Sequence, residues 1–283
     1  MELHFTKMHG CGNDYIYFDC FQQPIFHPEG LSIRLSDRHK SIGGDGIVLI
    51  CPSEIADVKM RMFNADGSEG KMCGNAIRCV GKYVYEHSYV KHSSLTVETL
   101  SGIKHLTLLI SDGKVPGVTV NMGETSFQAK AVPVLTDKEE MICSPLLVNG
   151  HEFHVTCLSM GNPHCVVYCE DPDLLKIEEI GPSFENHPLF PEKINTEFIQ
   201  VIDPHTLKMR VWERGSGETM ACGTGACAAV AASVKNGFCP EGEEVTVLLR
   251  GGSLKIRYTP EHVIMTGGAE IAFQGTVEEE NQA

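Results

Sequence analysis

The chain repeats one pattern of residues twice, with an offset of 149 positions between the two copies. Asn13 precedes Cys73 by 60 positions, and Asn162 precedes Cys222 by the same 60. Further pairs that match at this offset are Met60 with Met209, Arg61 with Arg210, Glu69 with Glu218, Gly74 with Gly223 and Gly102 with Gly251. Solenoids repeat about every 20 to 50 residues, whereas a single duplication of half the chain predicts two homologous domains related by a pseudo-twofold axis. Each of the two domains would contribute one copy of the repeated residues to a cleft between them.

The length of the chain agrees with two domains. Its 283 residues exceed what one hydrophobic core usually organises, because single cores stop growing at about 250 to 300 residues. We predict an N-terminal half at 1–118 and a C-terminal half at 119–267. The segment 119–150, which contains Pro133 and Pro145, is the predicted crossover between them.

Charge and hydropathy exclude several kinds of partner. The chain carries 23 basic and 37 acidic side chains, and its formal net charge of −14 would repel nucleic acid and anionic membranes. Its longest near-apolar run, 226–234, is far shorter than the roughly 20 residues of a membrane-spanning helix. The N-terminus has no apolar signal segment, so we expect a cytoplasmic protein.

The twelve cysteines are not spaced for a disulfide framework or a metal site. No C-x-x-C pair occurs, which argues against zinc ribbons and thioredoxin-like redox motifs, and most thiols are expected to be reduced. Neither an H-E-x-x-H motif nor a cluster of carboxylates is present. We therefore expect no bound metal.

Short β-branched or alternating runs predict strands in both halves. They are GIVLI (46–50), VKMRMF (58–63), SLTVETL (94–100) and KHLTLLI (104–110), then HCVVYC (164–169), TEFIQVI (196–202), LKMRVW (207–212), EVTVLLR (244–250) and LKIRY (254–258). Apolar residues at helical spacing predict a helix at 74–87, and an Ala-rich run closed by Gly237 predicts another at 223–236. The second helix is apolar nearly all round, so it should be enclosed by protein. We predict an α/β fold in which each half is a sheet or barrel wrapped around one central helix.

Each predicted helix begins directly after a cysteine, Cys73 or Cys222. The positive end of the helix dipole and the N–H groups of the first turn stabilise a thiolate and lower its pKa, so both cysteines are predicted bases or nucleophiles. The glycine that follows each cysteine lets a ligand approach the backbone, and the same N–H groups bind carboxylates. A thiolate and a thiol on opposite sides of a carbon could remove one proton and return another, which inverts the centre. The helix ends would stabilise the enolate charge without a cofactor.

Other interpretations of these residues explain less. GTGACA at 223–228 matches the G-x-G-x-x-A dinucleotide pattern, but about ten residues separate it from the preceding strand, where that fingerprint needs a tight turn. Its counterpart GNAIRC at 74–79 lacks the glycines. The second cysteines of the two motifs, Cys79 and Cys227, fit neither redox nor metal spacing. A purely structural helix-cap role would suit one copy but does not explain two copies in register.

Seven motifs spread over nearly the whole chain resemble those of the diaminopimelate epimerase family. They are KMHGCGNDY (7–15), FNADGSE (63–69), CGNAIRC (73–79), SMGNPHCV (159–166), ERGSGET (213–219), ACGTGACA (221–228) and GGSL (251–254). Members of this family are cofactor-independent isomerases that interconvert LL- and meso-diaminopimelate in bacterial lysine and peptidoglycan precursor synthesis. The resemblance implies an amino-acid epimerase that uses two bases at Cα and needs no cofactor.

The resemblance also implies roles for individual residues. It makes Cys73 and Cys222 the two catalytic bases. His164 and Glu213 are implied to lie beside them, where they would hold the reacting amine and tune protonation. The residues implied in substrate binding are Gly74, Asn75, Gly223 and Thr224 at the reacting carboxylate, and Asn13, Asn64, Asn162, Asn195 and Arg214 at the distal amino-acid end.

By the same resemblance the active site lies in the cleft between two pseudo-symmetric domains. The C-terminal strand, about 268–283, would return to the first domain, and the protein would be a homodimer. Two residues depart from the family pattern. Cys11 stands where an apolar residue is expected, which predicts a third thiol near the cleft. Gly46 stands where some relatives carry a side-chain amide, and its partner across the repeat is Asn195.

Two alternative functions stay open at this level. Proline racemase-like enzymes and other isomerases share the two-cysteine plan, although Arg214 favours a substrate with a second carboxylate, which proline lacks. A non-catalytic module that binds a small amino acid would use the cleft without exchanging the Cα proton. Paired thiols at helix ends have no use in such a module.

Overall fold

The computed structural model describes residues 2–278, which divide into two compact units. The first unit comprises the residues up to Val120 together with those from Gly267 onward, and the second unit comprises Asn121–Thr266. Both units consist mostly of strands with few helices, so the predicted α/β class is confirmed. In the described part of the chain, no helix is both long and apolar enough to cross a membrane.

The secondary structure follows in chain order. Residues 2–123 form β1 (Glu2–Gly10), β2 (Asn13–Asp19), α1 (Pro28–Ser36), β3 (Gly46–Cys51), β4 (Val58–Asn64), β5 (Glu69–Gly70), α2 (Gly74–Glu86), β6 (Ser94–Thr99), β7 (Gly102–Ser111) and β8 (Lys114–Gly123). The second unit continues with β9 (Ser144–Val148), β10 (His151–Ser159), β11 (Pro163–Tyr168), a 3-10 turn (Pro172–Leu174), α3 (Ile177–Glu185), β12 (Asn195–Asp203), β13 (Thr206–Glu213), β14 (Gly217–Glu218), α4 (Gly223–Lys235), β15 (Glu244–Leu249), β16 (Gly252–Thr259) and β17 (His262–Gly268). The last strand is β18 (Glu270–Glu278).

The offset of 149 found in the sequence reappears in the elements. The bounds of β10, α3 and α4 differ from those of β1, α1 and α2 by that number at both ends. Strand pairing repeats as well, because β1–β2, β3–β4 and β6–β7 are antiparallel while β2–β3 and β4–β6 are parallel. In the second unit β10–β11, β12–β13 and β15–β16 are antiparallel, and β11–β12 and β13–β15 are parallel. The two units are therefore copies of one topology.

In each unit one 13-residue helix packs against several strands. Helix α2 contacts β1, β2 and β7, and α4 contacts β10 to β13, β15 and β16. Every residue of α4 from Ala226 to Ser233 is buried, as the all-round apolar sequence predicts. The first unit also packs α1 on β3 and β4, where Leu31 and Leu35 join a cluster with Leu49 and Phe63. Covering helices explain why the continuous apolar run of β3 is buried along most of its length.

The boundaries between units differ in detail from the sequence prediction. Strand β8 runs through Gly123, and β9 already pairs with β10, so the predicted crossover 119–150 contains two strand segments. Strand β18 pairs antiparallel with β1, with Leu3 opposite Val277. The remainder of the predicted C-terminal strand, 279–283, lies outside the described residues.

Candidate active site

Both cysteines of the repeat are the N-cap residues of the two central helices. Cys73 (φ −133°, ψ 122°) precedes α2, and its sulfur accepts the N–H of Ala76 at 3.5 Å. Cys222 (φ −118°, ψ 114°) precedes α4, and its sulfur accepts the N–H of Gly225 at 3.3 Å. The predicted helix starts are thereby confirmed, and each sulfur occupies the place of a capping oxygen. The positive helix end therefore acts directly on both sulfurs.

In the first unit, Cys73 is linked to the loop before β3. Its thiol donates to Asn13 Oδ1 at 3.4 Å, and Asn13 Nδ2 donates to Asp45 Oδ2 at 2.6 Å. Cys73 is half-buried, whereas Asn75 in the first helical turn is buried. This unit thus brings together four of the predicted site residues: Asn13, Cys73, Gly74 and Asn75.

A buried arginine lies against the same helix. Arg78 is fully buried on α2, and its guanidinium donates to the carbonyl of Gly74 at 2.9 Å and to that of Gly268 at 3.1 Å. At the matching position of α4 stands Cys227. A guanidinium therefore lies close to the first turn of α2, whereas the matching position of α4 carries no charge.

In the second unit, Cys222 lies within a ring of polar groups. Its sulfur is 3.5 Å from Thr224 Oγ1, and the Glu213 carboxylate lies near enough to raise the pKa of its thiol. Glu213 also accepts a hydrogen bond from the hydroxyl of Thr219. Cys222 itself is buried, with 5% of its surface exposed.

The pKa of Cys222 corrects the expectation drawn from the helix dipole. Burial raises the pKa of this thiol well above its ordinary value, and the nearby Glu213 and Glu197 carboxylates raise it further. The hydrogen bonds from Thr224 and Gly225 lower it, but they do not outweigh burial and the two carboxylates. Burial also raises the pKa of Glu213. The helix N-terminus alone predicts a lowered pKa for this thiol, whereas its burial beside two carboxylates raises it.

His164 and Glu197 form a fully buried pair beside this cysteine. His164 Nδ1 lies 2.7 Å from Glu197 Oε1, and both side chains have 0% exposure. The other ring nitrogen, Nε2, lies 3.0 Å from Asn162 Oδ1. Asn162 in turn donates to Thr224 Oγ1 at 3.4 Å. The predicted residues His164, Asn162, Thr224 and Cys222 are therefore connected by hydrogen bonds.

The acidic surroundings of Cys222 are specific to the second copy of the repeat. At the offset of 149, Glu197 corresponds to Val48, and Glu213 corresponds to Asn64. His164 corresponds in the same way to a tyrosine. The two copies of the repeat thus carry different side chains around their cysteines, so the two sulfurs lie in different electrostatic environments.

The remaining predicted binding residues make contacts within their own units. Asn64 Nδ2 donates to Ser68 Oγ at 3.0 Å. Asn195 is buried, donates to the Pro163 carbonyl at 2.7 Å and accepts the backbone N–H of Arg214 at 3.0 Å. Through these two hydrogen bonds Asn195 holds the backbone of the loop that carries Arg214. The Arg214 side chain is exposed and donates to the carbonyl of residue 192 at 2.9 Å.

The two departures from the family pattern have structural explanations. Gly46 has a φ of +154°, and a Cβ built on it would lie 2.0 Å from the Phe63 carbonyl oxygen, so this backbone admits no side chain. Cys11 occupies the turn between β1 and β2 with a φ of +55°, and its sulfur lies 3.9 Å from an Arg78 nitrogen. Burial raises the pKa of the Cys11 thiol. Cys11 is therefore a packing neighbour of Arg78 that is held as a neutral thiol.

Glu197 is the site residue that sequence reasoning missed. It lies in the predicted strand TEFIQVI, whose residue pattern by itself gives no sign of a functional carboxylate. The signal was present in the repeat, because a carboxylate replaces Val48 at a position that is buried in the other copy. In the part of the chain that the structure describes, no group of three or more His, Cys, Asp or Glu side chains could hold a metal ion.

Comparison with known proteins finds relatives that match nearly the whole length of this chain. A family model described as diaminopimelate epimerase matches residues 5–128 and 156–272. The diaminopimelate epimerase of Acetivibrio thermocellus is 54% identical over 278 residues, which cover 98% of this chain and 99% of the relative. That of Methanococcus maripaludis is 52% identical and covers 98% of this chain and 100% of its own.

Solved structures share the fold at low sequence identity. A phenazine biosynthesis protein of the PhzF family from Bacillus anthracis has a TM-score of 0.73 and 16% identity, and the likeness covers 99% of this chain and 100% of that one. A hydroxyproline epimerase from Agrobacterium vitis has a TM-score of 0.70 and 14% identity, covering 98% and 92%. These similarities concern the arrangement of helices and strands.

Proposed function

Because the chain belongs to the diaminopimelate epimerase family, we propose that it interconverts LL- and meso-diaminopimelate with Cys73 and Cys222 as its two proton-transfer groups. The enzyme is an isomerase of diaminopimelate and lysine biosynthesis. The observation that carries the two-base mechanism is that both cysteines cap the central helices of duplicated units, with the sulfur at the positive helix end.

The reaction requires one sulfur to begin as thiolate and the other as thiol. The thiolate removes the Cα proton, and the electron pair of that bond moves into the α-carboxylate as an enolate. The thiol then delivers its proton to the opposite face of Cα, so the configuration is inverted. The first sulfur ends as a thiol and the second as a thiolate, which is the form needed for the reverse reaction.

The charges around the sulfurs support one assignment of their starting roles. Burial together with Glu213 and Glu197 keeps the pKa of Cys222 high, so Cys222 carries the proton in the resting enzyme. A two-base reaction then begins with Cys73 as the base. In the reverse direction the roles exchange, because the proton that Cys222 has delivered must be taken back by the same sulfur.

The difficult part of this chemistry is the acidity of an amino-acid Cα proton. Carboxylate oxygens bound at the N-termini of α2 and α4 would meet the N–H groups of Gly74, Asn75, Gly223 and Thr224. Such preorganised donors stabilise the negative charge that grows on the carboxylate as the proton leaves. We propose that these donors replace the electron sink that a cofactor would otherwise provide.

Isotope exchange tests the function directly. We expect the protein, incubated with LL-diaminopimelate in deuterated water, to form meso product that carries deuterium at Cα, while the early recovered substrate still carries hydrogen. The reason is that the incoming proton comes from the second sulfur, which has exchanged with solvent. Stereochemistry and label are followed by chiral chromatography and mass spectrometry. Binding without exchange would support a non-catalytic module, and inversion of proline instead would support the proline racemase-like alternative.

Arg214 provides a prediction about substrate choice. Arg214→Lys should raise KM for diaminopimelate about tenfold or more while kcat changes little, because lysine cannot replace a bidentate contact to the distal carboxylate. Arg257→Lys, at an exposed position on β16, is the matched control. Steady-state kinetics in both directions provide the measurement. An unchanged KM would exclude Arg214 from recognition of the distal end.

A further inference from the structure

Two cysteines of the first unit lie side by side on neighbouring strands. In the parallel pair β2–β3, Asp19 is opposite Ile50. The backbone continues this register by one residue, because the N–H of Cys20 donates to the carbonyl of Ile50 at 2.9 Å. Cys20 is therefore opposite Cys51, the last residue of β3. The epimerisation proposed above gives neither thiol a task.

Both side chains lie on the same face of the sheet. Opposed residues on neighbouring strands share a face, and side chains two residues apart along a strand do so as well. Accordingly, both cysteines pack against the apolar cluster under α1 that contains Phe18 and Leu49, the residues two positions before them. Each thiol is partly exposed, so a small reagent in solution can reach it.

The spacing of adjacent strands suits a disulfide bond. Neighbouring strands lie about 4.7 to 4.9 Å apart, and disulfides join residues whose α-carbons are about 4.4 to 6.8 Å apart. Both cysteines stand where strands end, since β2 ends at Asp19 and β3 ends at Cys51. The backbone can adjust there to the geometry of a disulfide while the rest of the ladder stays paired.

Charged neighbours make Cys51 the more reactive of the two thiols. Across β3–β4, Cys51 is opposite Lys59 and Leu49 is opposite Arg61, so both cations lie on the face of this sulfur. The neighbouring Cys20 thiol lowers the pKa of Cys51, and Arg61 and Lys59 lower it further, although burial acts in the other direction. The pKa of Cys20 is raised, first by Cys51 and then by burial. Cys51 thus supplies the nucleophilic thiolate, and Cys20 supplies the second thiol.

The second copy of the repeat carries one of these two cysteines. At the offset of 149, Cys20 corresponds to Cys169 and Cys51 corresponds to Gln200. The N–H of Cys169 donates to the carbonyl of Ile199 at 2.8 Å, which is the equivalent of the bond made by Cys20. Burial raises the pKa of the Cys169 thiol to about 11. Cys169 therefore occupies the same place in the topology but faces a glutamine, which makes it a matched control.

Another cysteine pair shows what access to solvent contributes. Cys157 is opposite Cys165 in the antiparallel pair β10–β11, but both are buried, with 1% and 0% exposure. Burial raises the pKa of Cys165 well above its ordinary value. Proximity without access or thiolate character does not give a reactive thiol. We therefore expect Cys157 and Cys165 to stay reduced under conditions that oxidise the exposed pair.

We propose that Cys20 and Cys51 form a redox-active dithiol, which a dissolved peroxide or small disulfide converts into an intramolecular disulfide. With hydrogen peroxide, the Cys51 thiolate attacks one oxygen, the O–O bond breaks, and hydroxide leaves Cys51 as a sulfenic acid. The Cys20 sulfur then attacks the Cys51 sulfur, the S–O bond breaks with loss of water, and the S–S bond forms. In total the two thiols lose two electrons and two protons, and the peroxide becomes two molecules of water. A dithiol reductant reverses the modification.

Peptide mapping of the oxidised full-length protein is the main test. Reduced protein is treated with a small excess of hydrogen peroxide, blocked with N-ethylmaleimide under denaturing conditions and digested without reduction. We expect a peptide pair that joins Cys20 to Cys51 and disappears after treatment with dithiothreitol, while Cys157, Cys165 and Cys169 are recovered as thiols. Recovery of Cys20 and Cys51 as separate thiols, while Cys169 is oxidised, would overturn the proposal.

Alkylation of the reduced protein measures the unequal reactivity of the two copies. At neutral pH, iodoacetamide should modify Cys51 at least about tenfold faster than Cys169, because a lowered pKa gives a larger fraction of thiolate. Mass spectrometry of quenched time points gives both rates. Equal rates at the two positions would exclude Cys51 as the attacking thiolate.

Serine variants separate the two steps of the reaction. With oxidised glutathione, Cys20→Ser should stop at a mixed disulfide on Cys51, because no second thiol is in place to displace the glutathione. Cys51→Ser should leave Cys20 unmodified over the same time, and Cys169→Ser should form the disulfide at the rate of the parent. Comparable glutathione adducts in Cys20→Ser and Cys51→Ser would contradict the assigned order of attack.

The second copy of the repeat also permits a test by gain of function. Gln200→Cys places a thiol opposite Cys169 and beside Lys208, which corresponds to Lys59 of the first copy. Under the conditions that oxidise the parent pair, this variant should form a second disulfide at the equivalent position. A variant that stays reduced at both positions would contradict the argument from strand register.

Epimerase measurements keep this dithiol apart from the proposed active site. Cys20 and Cys51 stand at one end of β2 and β3, whereas Asn13 begins β2 at the other end. In reducing buffer, Cys20→Ser and Cys51→Ser should therefore keep kcat within about twofold of the parent. A double variant with serine at positions 73 and 222 should still form the disulfide, and its failure to do so would overturn the proposal. Absence of epimerisation in the parent would refute the proposed function and leave the dithiol standing.

Discussion

Replacing either Cys73 or Cys222 by alanine should lower epimerisation at least about 1,000-fold, since each removes a group that transfers a proton in the rate-determining chemistry. Serine at either position should cost about 100-fold or more, because a hydroxyl is a much weaker acid than a thiol. Cys143→Ser, which changes an exposed thiol, is the control and should be normal. Chiral chromatography of both reaction directions measures the losses.

The alanine variants should also retain a diagnostic partial reaction. The remaining sulfur can still remove a Cα proton and return one to the same face, so it should exchange hydrogen for deuterium without inversion. Cys73→Ala and Cys222→Ala should therefore each exchange a different stereoisomer of the substrate. Exchange of the same isomer by both variants would show that the two sulfurs do not serve opposite faces of Cα.

The second large effect is expected for Glu213→Gln, which should lower kcat about 100-fold while making the protein more resistant to heat. The loss follows because the Glu213 carboxylate raises the pKa of Cys222, so in the variant the Cys222 thiolate is a weaker base for the Cα proton. The gain in stability follows from burial, which raises the pKa of Glu213 and so makes its ionised form unfavourable in the folded state.

The sign of this pH dependence is specific. A carboxyl whose pKa is higher in the folded than in the unfolded chain destabilises the fold above its unfolded pKa, about 4.3 for glutamate. The stabilisation by Glu213→Gln should therefore be full above the raised pKa of Glu213 in the folded protein and should disappear as the pH falls below the unfolded value. Thermal unfolding measured across this range, with the exposed Glu241→Gln as control, tests the prediction. A variant less stable at pH 7 than the parent would contradict it.

Much of the architecture was predictable because the duplication and the helix signals agree. The register of 149 residues located both central helices and both capping cysteines. Helices α1 and α3 were not predicted, because each has only nine residues and contains glycine and proline. Gly181 in α3 lies where a Cβ would be 2.4 Å from Trp212, so a tertiary contact selects it. Local propensity has no information about such a contact.

The strands that sequence reasoning missed have a similar cause. Strand β1 contains Lys7, which is buried because it forms an ion pair with Asp14 at 2.6 Å and donates to the Gly43 carbonyl. A lysine inside a strand weakens the apolar alternation by which strands are recognised. The high pKa of Cys222 was unpredictable because it depends on tertiary contacts. The carboxylates that cause it come from β12 and β13, and only the folded chain places them beneath the start of α4.

The pairing of β1 with β18 determines when each unit can be completed during synthesis. The second unit is one continuous stretch, so its residues are all synthesised before β18. β1 is the first strand of the first unit, yet its partner β18 follows the whole second unit in the sequence. Multidomain chains generally fold their N-terminal domain first. In this protein the unit that is translated first closes last, because one edge of β1 has no partner until β18 has been synthesised.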